Sequence, residues 1–148
     1  MYHHTQVGRI TLVALGATIA LDLALLAFIR HPLVNVLLVA LVAVFALTAV
    51  LFSSLTVTVD SRSVTIRFGP GPIRKRIELA DIRDAQPVRN PWWYGWGIHM
   101  TPDGWVWNVS GLDAVELTLG GGRRFRIGTD EPQALAEAIV HGSRGARR

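Results

Sequence analysis

The chain of 148 residues contains no cysteine. That excludes a disulfide scaffold, Cys-ligated zinc, an iron–sulfur cluster and a thiol nucleophile. Charge is scarce: 18% of residues carry one, against about 25% in soluble domains. Lysine occurs once, at Lys75, beside 14 arginines. His3 and His4 are adjacent in what reads as a loose terminus, and His99 and His141 are far apart. None has metal-ligand spacing. No G-x-S-x-G surrounds Ser110, the glycines at 120–122 lack the Lys-Ser/Thr of a phosphate loop, and Asp81, Asp84 and Asp103 form no recognisable carboxylate pair. Asn108-Val109-Ser110 matches a glycosylation sequon but reads as a chance match within a strand. We therefore expect no catalytic set, no metal site and no cofactor. Disorder is excluded as well, because half the residues are hydrophobic and mean hydropathy is +0.33.

What the chain does have is two long apolar runs. Residues 10–29 contain one charge, Asp22, and residues 33–52 contain none. At about 1.5 Å per residue each reaches roughly 30 Å, the hydrocarbon thickness of a bilayer. Arg30-His31-Pro32 makes a tight polar turn between them, and proline suits the start of a helix. Residues 1–52 thus read as an antiparallel transmembrane hairpin. A cleaved signal peptide is the rival for the first run, but such apolar regions are shorter, about 7–15 residues, and end at small residues. Residues 1–52 have net charge +1 and residues 53–148 net +3. Arg9 before the first span and Arg62, Arg67, Arg74, Lys75 and Arg76 after the second place both termini in the cytoplasm by the positive-inside rule, with Arg30 opposing. The small residues Gly16, Ala20, Ala24 and Ala27 fall on one side of the first helix, where they predict close packing.

Residues 53–148 change pattern. Leu55, Val57 and Val59 alternate with polar residues, as do Val64, Ile66 and Phe68. Further strands read around 73–79, 82–88, 97–100, 105–110, 114–119 and 124–128, separated by Gly- and Pro-containing turns. Asp130 reads as an N-cap with Gln133 three residues on, opening one amphipathic helix over 131–141 that stops at Gly142. Residues 143–148 read as a basic tail. The expected fold is a helical hairpin followed, over 53–142, by an all-β small barrel or sandwich of seven or eight antiparallel strands, with the terminal helix plugging an open end.

The segments Trp93-Tyr94-Gly95-Trp96-Gly97-Ile98, Asn108-Val109-Ser110-Gly111, Ala114-Val115-Glu116-Leu117 and Arg126-Ile127-Gly128-Thr129-Asp130-Glu131-Pro132, in this order before a capped helix, resemble a bacterial pleckstrin-homology-like domain. With the two spans, the chain resembles the two-span membrane proteins of high-GC bacteria that carry such a domain at the C-terminus. The resemblance implies an anchored interaction domain in the cell membrane and carries no chemistry with it.

Three constellations remain as candidate sites. Trp92, Trp93, Tyr94 and Trp96 lie in a Pro- and Gly-flanked loop and are residue types of the membrane–water interface; the alternative is that they close one end of the β domain or pack under the helix. Trp105 and Trp107, two apart in a strand, read as core or as part of that cluster. Arg74, Lys75 and Arg76, with Arg89 near the tryptophans, form a candidate basic patch for anionic headgroups, to which Arg123, Arg124 and Arg126 could add; a solvated strand face balanced by Glu78 and Glu116 is the other reading. Asp22 is the one ionisable residue inside a span and reads as an ion or proton site, an oligomer contact or a tolerated acid. Two functions follow. One is a non-catalytic membrane-displayed module that binds a protein partner, a second copy of itself or lipid headgroups, and no nucleic acid. The other is a small transporter or channel subunit using Asp22, with the β domain regulatory.

Overall fold

The computed structural model describes residues 1–146, so Arg147 and Arg148 of the expected basic tail lie outside the described residues. The two apolar runs are helices α1 (Arg9–Phe28) and α2 (Pro32–Leu51), packed as an antiparallel pair, with Pro32 in the first turn of α2 where its missing N–H is harmless. Among the less exposed residues of α1, Leu12, Leu15, Ile19, Asp22 and Leu26 make a stripe of helical period. The small-residue stripe does not pack there. Gly16, Ala20, Ala24 and Ala27 are all exposed, and nothing lies within 4 Å of a Cβ placed on Gly16.

The residues before α1 are not loose. They form strand β1 (Tyr2–Val7), which pairs antiparallel with β2 (Ser54–Val59) along its whole length, Tyr2 opposite Val59 and Val7 opposite Ser54. The chain therefore leaves the sheet, runs through the hairpin and returns to the neighbouring position in the same sheet. His3 Nδ1 lies 2.9 Å from Thr58 Oγ1, and His4 Nε2 lies 2.6 Å from Asp130 Oδ1. Alternation could not reveal β1, because its inward residues Tyr2, His4 and Gln6 are polar. Backbone pairing to β2 and these side-chain bonds hold it instead.

Strands β3 (Ser63–Phe68) and β4 (Arg74–Glu78) complete a first sheet in the order β1-β2-β3-β4. A 3-10 turn, Leu79–Asp81, leads to β5 (Ile82–Arg89) and a second sheet. Its other strands are β6 (Gly97–Thr101), β7 (Gly104–Asn108), β8 (Asp113–Leu119) and β9 (Arg124–Gly128), in the order β5-β8-β9-β7-β6. The described residues thus hold eight strands after the hairpin, within the expected seven or eight, and a ninth, β1, before it, in two sheets that do not close into a barrel. The outermost strands of one sheet do not pair with those of the other. The strands are also not all antiparallel: β9 enters the slot between β7 and β8, is antiparallel to β8, and so runs parallel to β7.

The core lies between the sheets. Leu55, Ile66 and Phe68 of the first meet Leu117, Phe125 and Ile127 of the second, all at most 2% exposed. Each such side chain contributes about 1.5–3 kcal/mol on burial. Trp107 sits between Phe68 and Phe125 at ring distances of 5.3 and 5.7 Å, whereas Trp105 is 42% exposed and is not core.

Helix α3 (Pro132–Ala146) covers one end through Leu135, Ala136 and Ile139. It runs past Gly142, the expected stop, because that glycine faces the core: a Cβ there would come 2.8 Å from Leu79 Cδ1. At its start the Thr129 hydroxyl accepts the Glu131 N–H at 3.1 Å, while the Asp130 carboxylate faces His4.

Candidate functional site

The aromatic segment has to cross a sheet. β5 and β6 are the opposite edges of the second sheet, about 19 Å apart at four strand spacings. Seven residues, 90–96, join them, and the eight steps from Arg89 to Gly97 reach about 26–29 Å when extended. The connection is therefore a short strap across the sheet with slack for one tight turn. It contains a 3-10 turn, Trp92–Tyr94, and Gly95 and Gly97 take positive φ values of 66° and 106°, which favour glycine. The Asn90 N–H donates to the Leu112 carbonyl at 2.7 Å at one end. At the other, Trp96 Nε1 donates to the Gly111 carbonyl at 3.0 Å, and His99 Nε2 contacts the Trp96 carbonyl.

The strap divides the four aromatic candidates. Tyr94 turns inward: the Arg126 guanidinium lies 5.7 Å from its ring centre, and its hydroxyl donates to Asp103 Oδ2 at 2.7 Å. Trp92 and Trp93 turn outward, 71% and 68% exposed, with rings edge-on at 6.0 Å. Trp96 is 36% exposed, held by its bond to Gly111.

Beneath the strap lies a buried charge network. Arg126 donates from Nε to Glu116 Oε2 at 2.7 Å and from a terminal nitrogen to Asn90 Oδ1 at 3.1 Å, and its other terminal nitrogen is 3.0 Å from Asp103 Oδ2. Arg124 stands 3.7 Å from Asp103 and 3.9 Å from Glu116. Arg126 and Glu116 are buried under the strap and must be paired, whereas Asp103 and Arg124, 33% and 53% exposed, form the solvent-facing margin of the network. The Tyr94 hydroxyl, then Arg126 and Arg124, hold the Asp103 carboxyl below the usual range. The hydrogen bond to Asp103, then burial, pushes the Tyr94 phenol up. A sequence signal for the pair existed: Glu116 and Arg126 are equidistant from Gly121, so a hairpin centred there places them opposite one another, as the register confirms.

The strap is linked to the start of the hairpin through one turn. The Val109 carbonyl accepts from Thr11 Oγ1 of α1 at 2.8 Å, the Ser110 carbonyl from Gln6 Nε2 of β1 at 3.1 Å, and the Gly111 carbonyl from Trp96. Asn108, 1% exposed, braces the turn by donating to Gly111 and accepting the Ser110 N–H. The sequon asparagine is thus a turn residue inside the protein.

The basic candidates do not form one patch. Arg74 and Arg76 point from the outer face of the first sheet, and Arg76 pairs with Glu78 at 3.1 Å. Lys75 faces the other way, its Nζ 5.2 Å from the centre of the Phe125 ring. Arg89 is on the second sheet, 3.4 Å from Asp113. Arg124 and Arg126 belong to the network under the strap, on the far side of the core.

Asp22 is 5% exposed, in the seam between α1 and α2, and its Oδ2 has no hydrogen-bond partner. Asn35 of α2 also turns to the seam with its Oδ1 unpaired. Apart from Arg9 at its mouth, Asp22 is the only titratable residue of the two helices. The described residues contain no grouping of three or more metal-ligating side chains. Comparison with protein-family models, curated proteins and solved structures yields no match.

Proposed function

We propose that the chain is an integral membrane protein that displays a PH-like interaction domain on the cytoplasmic face of the cell membrane. There the domain binds a protein partner or lipid headgroups and performs no catalysis. One observation carries this reading. Helices α1 and α2 are almost wholly apolar, yet within the protein Asp22 is the only buried residue of α1 and α2 has none. A helix that is apolar all round needs an apolar surround, and here the protein does not supply it. The pairing of β1 with β2 supports retention of the first span, since cleavage behind it would strip a strand from the first sheet. The outward tryptophans of the strap, tied through the 109–111 turn to the first turn of α1, support a bilayer-facing surface, because indole rings favour the headgroup region.

The full chain in nanodiscs tests this. Lipids brominated near the headgroup should quench tryptophan emission in the wild type more strongly than lipids brominated at the chain ends. Trp92→Ala/Trp93→Ala should lose most of that difference while keeping its β-sheet circular dichroism. Equal quenching in both proteins would remove the strap from the membrane surface and leave a protein partner as its ligand.

A further inference from the structure

We propose that Arg67 and Arg74 form a clamp for the phosphate of an anionic lipid headgroup, placed where the helices leave the β domain. They are direct cross-strand partners on the outer face of the first sheet, and both are exposed. Like charges directly opposite one another destabilise a sheet. Among the described residues no carboxylate lies within ion-pair distance of either arginine, whereas Arg76 in the next row has Glu78. Their row continues through Thr56 and Thr5, whose hydroxyls bond each other at 2.9 Å, so it contains no acid. An anion between the two guanidinium groups removes the repulsion, and the planar fork of arginine matches phosphate geometry.

Position selects the source of the phosphate. Arg67 and Arg74 are the stems of the β3–β4 turn, which abuts the end of α2. The Gly69 N–H donates to the Ser54 carbonyl at 2.9 Å, and a Cβ on Gly69 would lie 2.6 Å from the carbonyl oxygens of Val50 and Leu51. The Arg67 side chain lies along this turn, since a Cβ on Gly71 would come 2.8 Å from its Cδ. Arg74 also lines a concavity of about 460 Å³ with Thr65, Lys75 and Arg76. The backbone positions of Arg67 and Arg74 are thus about two strand residues, roughly 7 Å, from the end of the span, which puts their long side chains within reach of headgroup phosphates.

The inference rests on the reading that α1 and α2 cross a bilayer, and the test separates the two. A chain that does not insert will not enter nanodiscs at all. Inserted protein is extracted from discs of mixed phosphatidylcholine and phosphatidylglycerol, and retained lipid is counted by native mass spectrometry. The wild type should favour phosphatidylglycerol by about fivefold per clamp arginine. Arg67→Gln/Arg74→Gln should bring the ratio close to one, Arg67→Lys/Arg74→Lys should keep part of it, and Arg89→Gln on the other sheet should leave it unchanged. In pure phosphatidylcholine discs Arg74→Gln alone should melt higher than the wild type, because the repulsion is relieved. An equal lipid ratio in wild type and double glutamine variant overturns the proposal. So does a rise in melting temperature on adding inorganic phosphate to phosphatidylcholine discs that the double variant lacks, since that assigns the clamp to a soluble phosphate.

Discussion

At the residue scale, the pairing of Tyr94 with Asp103 gives the domain a pH signature. The Asp103 carboxyl is held low, so its contribution is present above the unfolded value of about 4 and is lost as pH falls through the folded one. The Tyr94 phenol is pushed up, so its contribution is present below about pH 10 and is lost as pH rises through the folded value. Tyr2, pushed to about 12 by burial and then by its bond to Glu131, behaves in the same way. Melting temperature against pH should therefore fall at both ends. Tyr94→Phe should flatten the alkaline fall without abolishing it, since Tyr2 remains, and should cost about 1 kcal/mol at neutral pH for the lost hydrogen bond. An unchanged alkaline limb would show that Tyr94 does not hold its proton through Asp103.

At the level of elements, the tightest constraint is the β6–β7 hairpin. Gly104 takes φ 99°, and a Cβ there would lie 2.2 Å from the Arg124 carbonyl oxygen of β9. Both the backbone conformation and the space demand glycine, so Gly104→Ala should destabilise by about 1–3 kcal/mol or more. Gly120 has no positive φ and nothing within 4 Å of a Cβ, so Gly120→Ala should be near neutral. Chemical denaturation of the two variants measures the contrast. Alternation placed this strand at 105–110, against 104–108 in the structure, but the need for glycine was not legible, because it comes from β9, a strand about twenty residues later that alternation alone would not place beside β7.

For the whole molecule, β1 and β2 constrain topology more strongly than the arginine count does. The two strands flank the hairpin and pair residue by residue, so under the proposed membrane reading both ends of the hairpin belong on one side of the bilayer. Reporter fusions at the N- and C-termini should therefore report the same compartment, the cytoplasm by the distribution of arginines. Fusions reporting opposite sides would be incompatible with the first sheet. The N-terminal fusion needs a flexible linker, because Tyr2 and His4 are bonded to Glu131 and Asp130 at the start of α3.

Apolar run length and local periodicity alone determined the hairpin, the seven or eight strands after it and the amphipathic terminal helix, because each is a local pattern that must bury one face. Local patterns say nothing about polar partners brought from far away. Only the tertiary structure added β1, whose inward residues are polar and which is held by pairing across the whole hairpin. Only it inserted β9 between β7 and β8, left the sheets unclosed and turned the small-residue stripe of α1 away from α2. The aromatic loop shows the same division. Its composition marked Trp92, Trp93, Tyr94 and Trp96 together, but the strap passes over Arg126 and Asp103, which hold Tyr94 inward, while Trp92 and Trp93 stand outside. Likewise the arginines at 74, 76, 89, 124 and 126 are alike in sequence. Sheet register and the strap bury Arg126 among its ion pairs, leave Arg76, Arg89 and Arg124 paired at the surface, and leave Arg74, with Arg67, free of a carboxylate at the end of the hairpin.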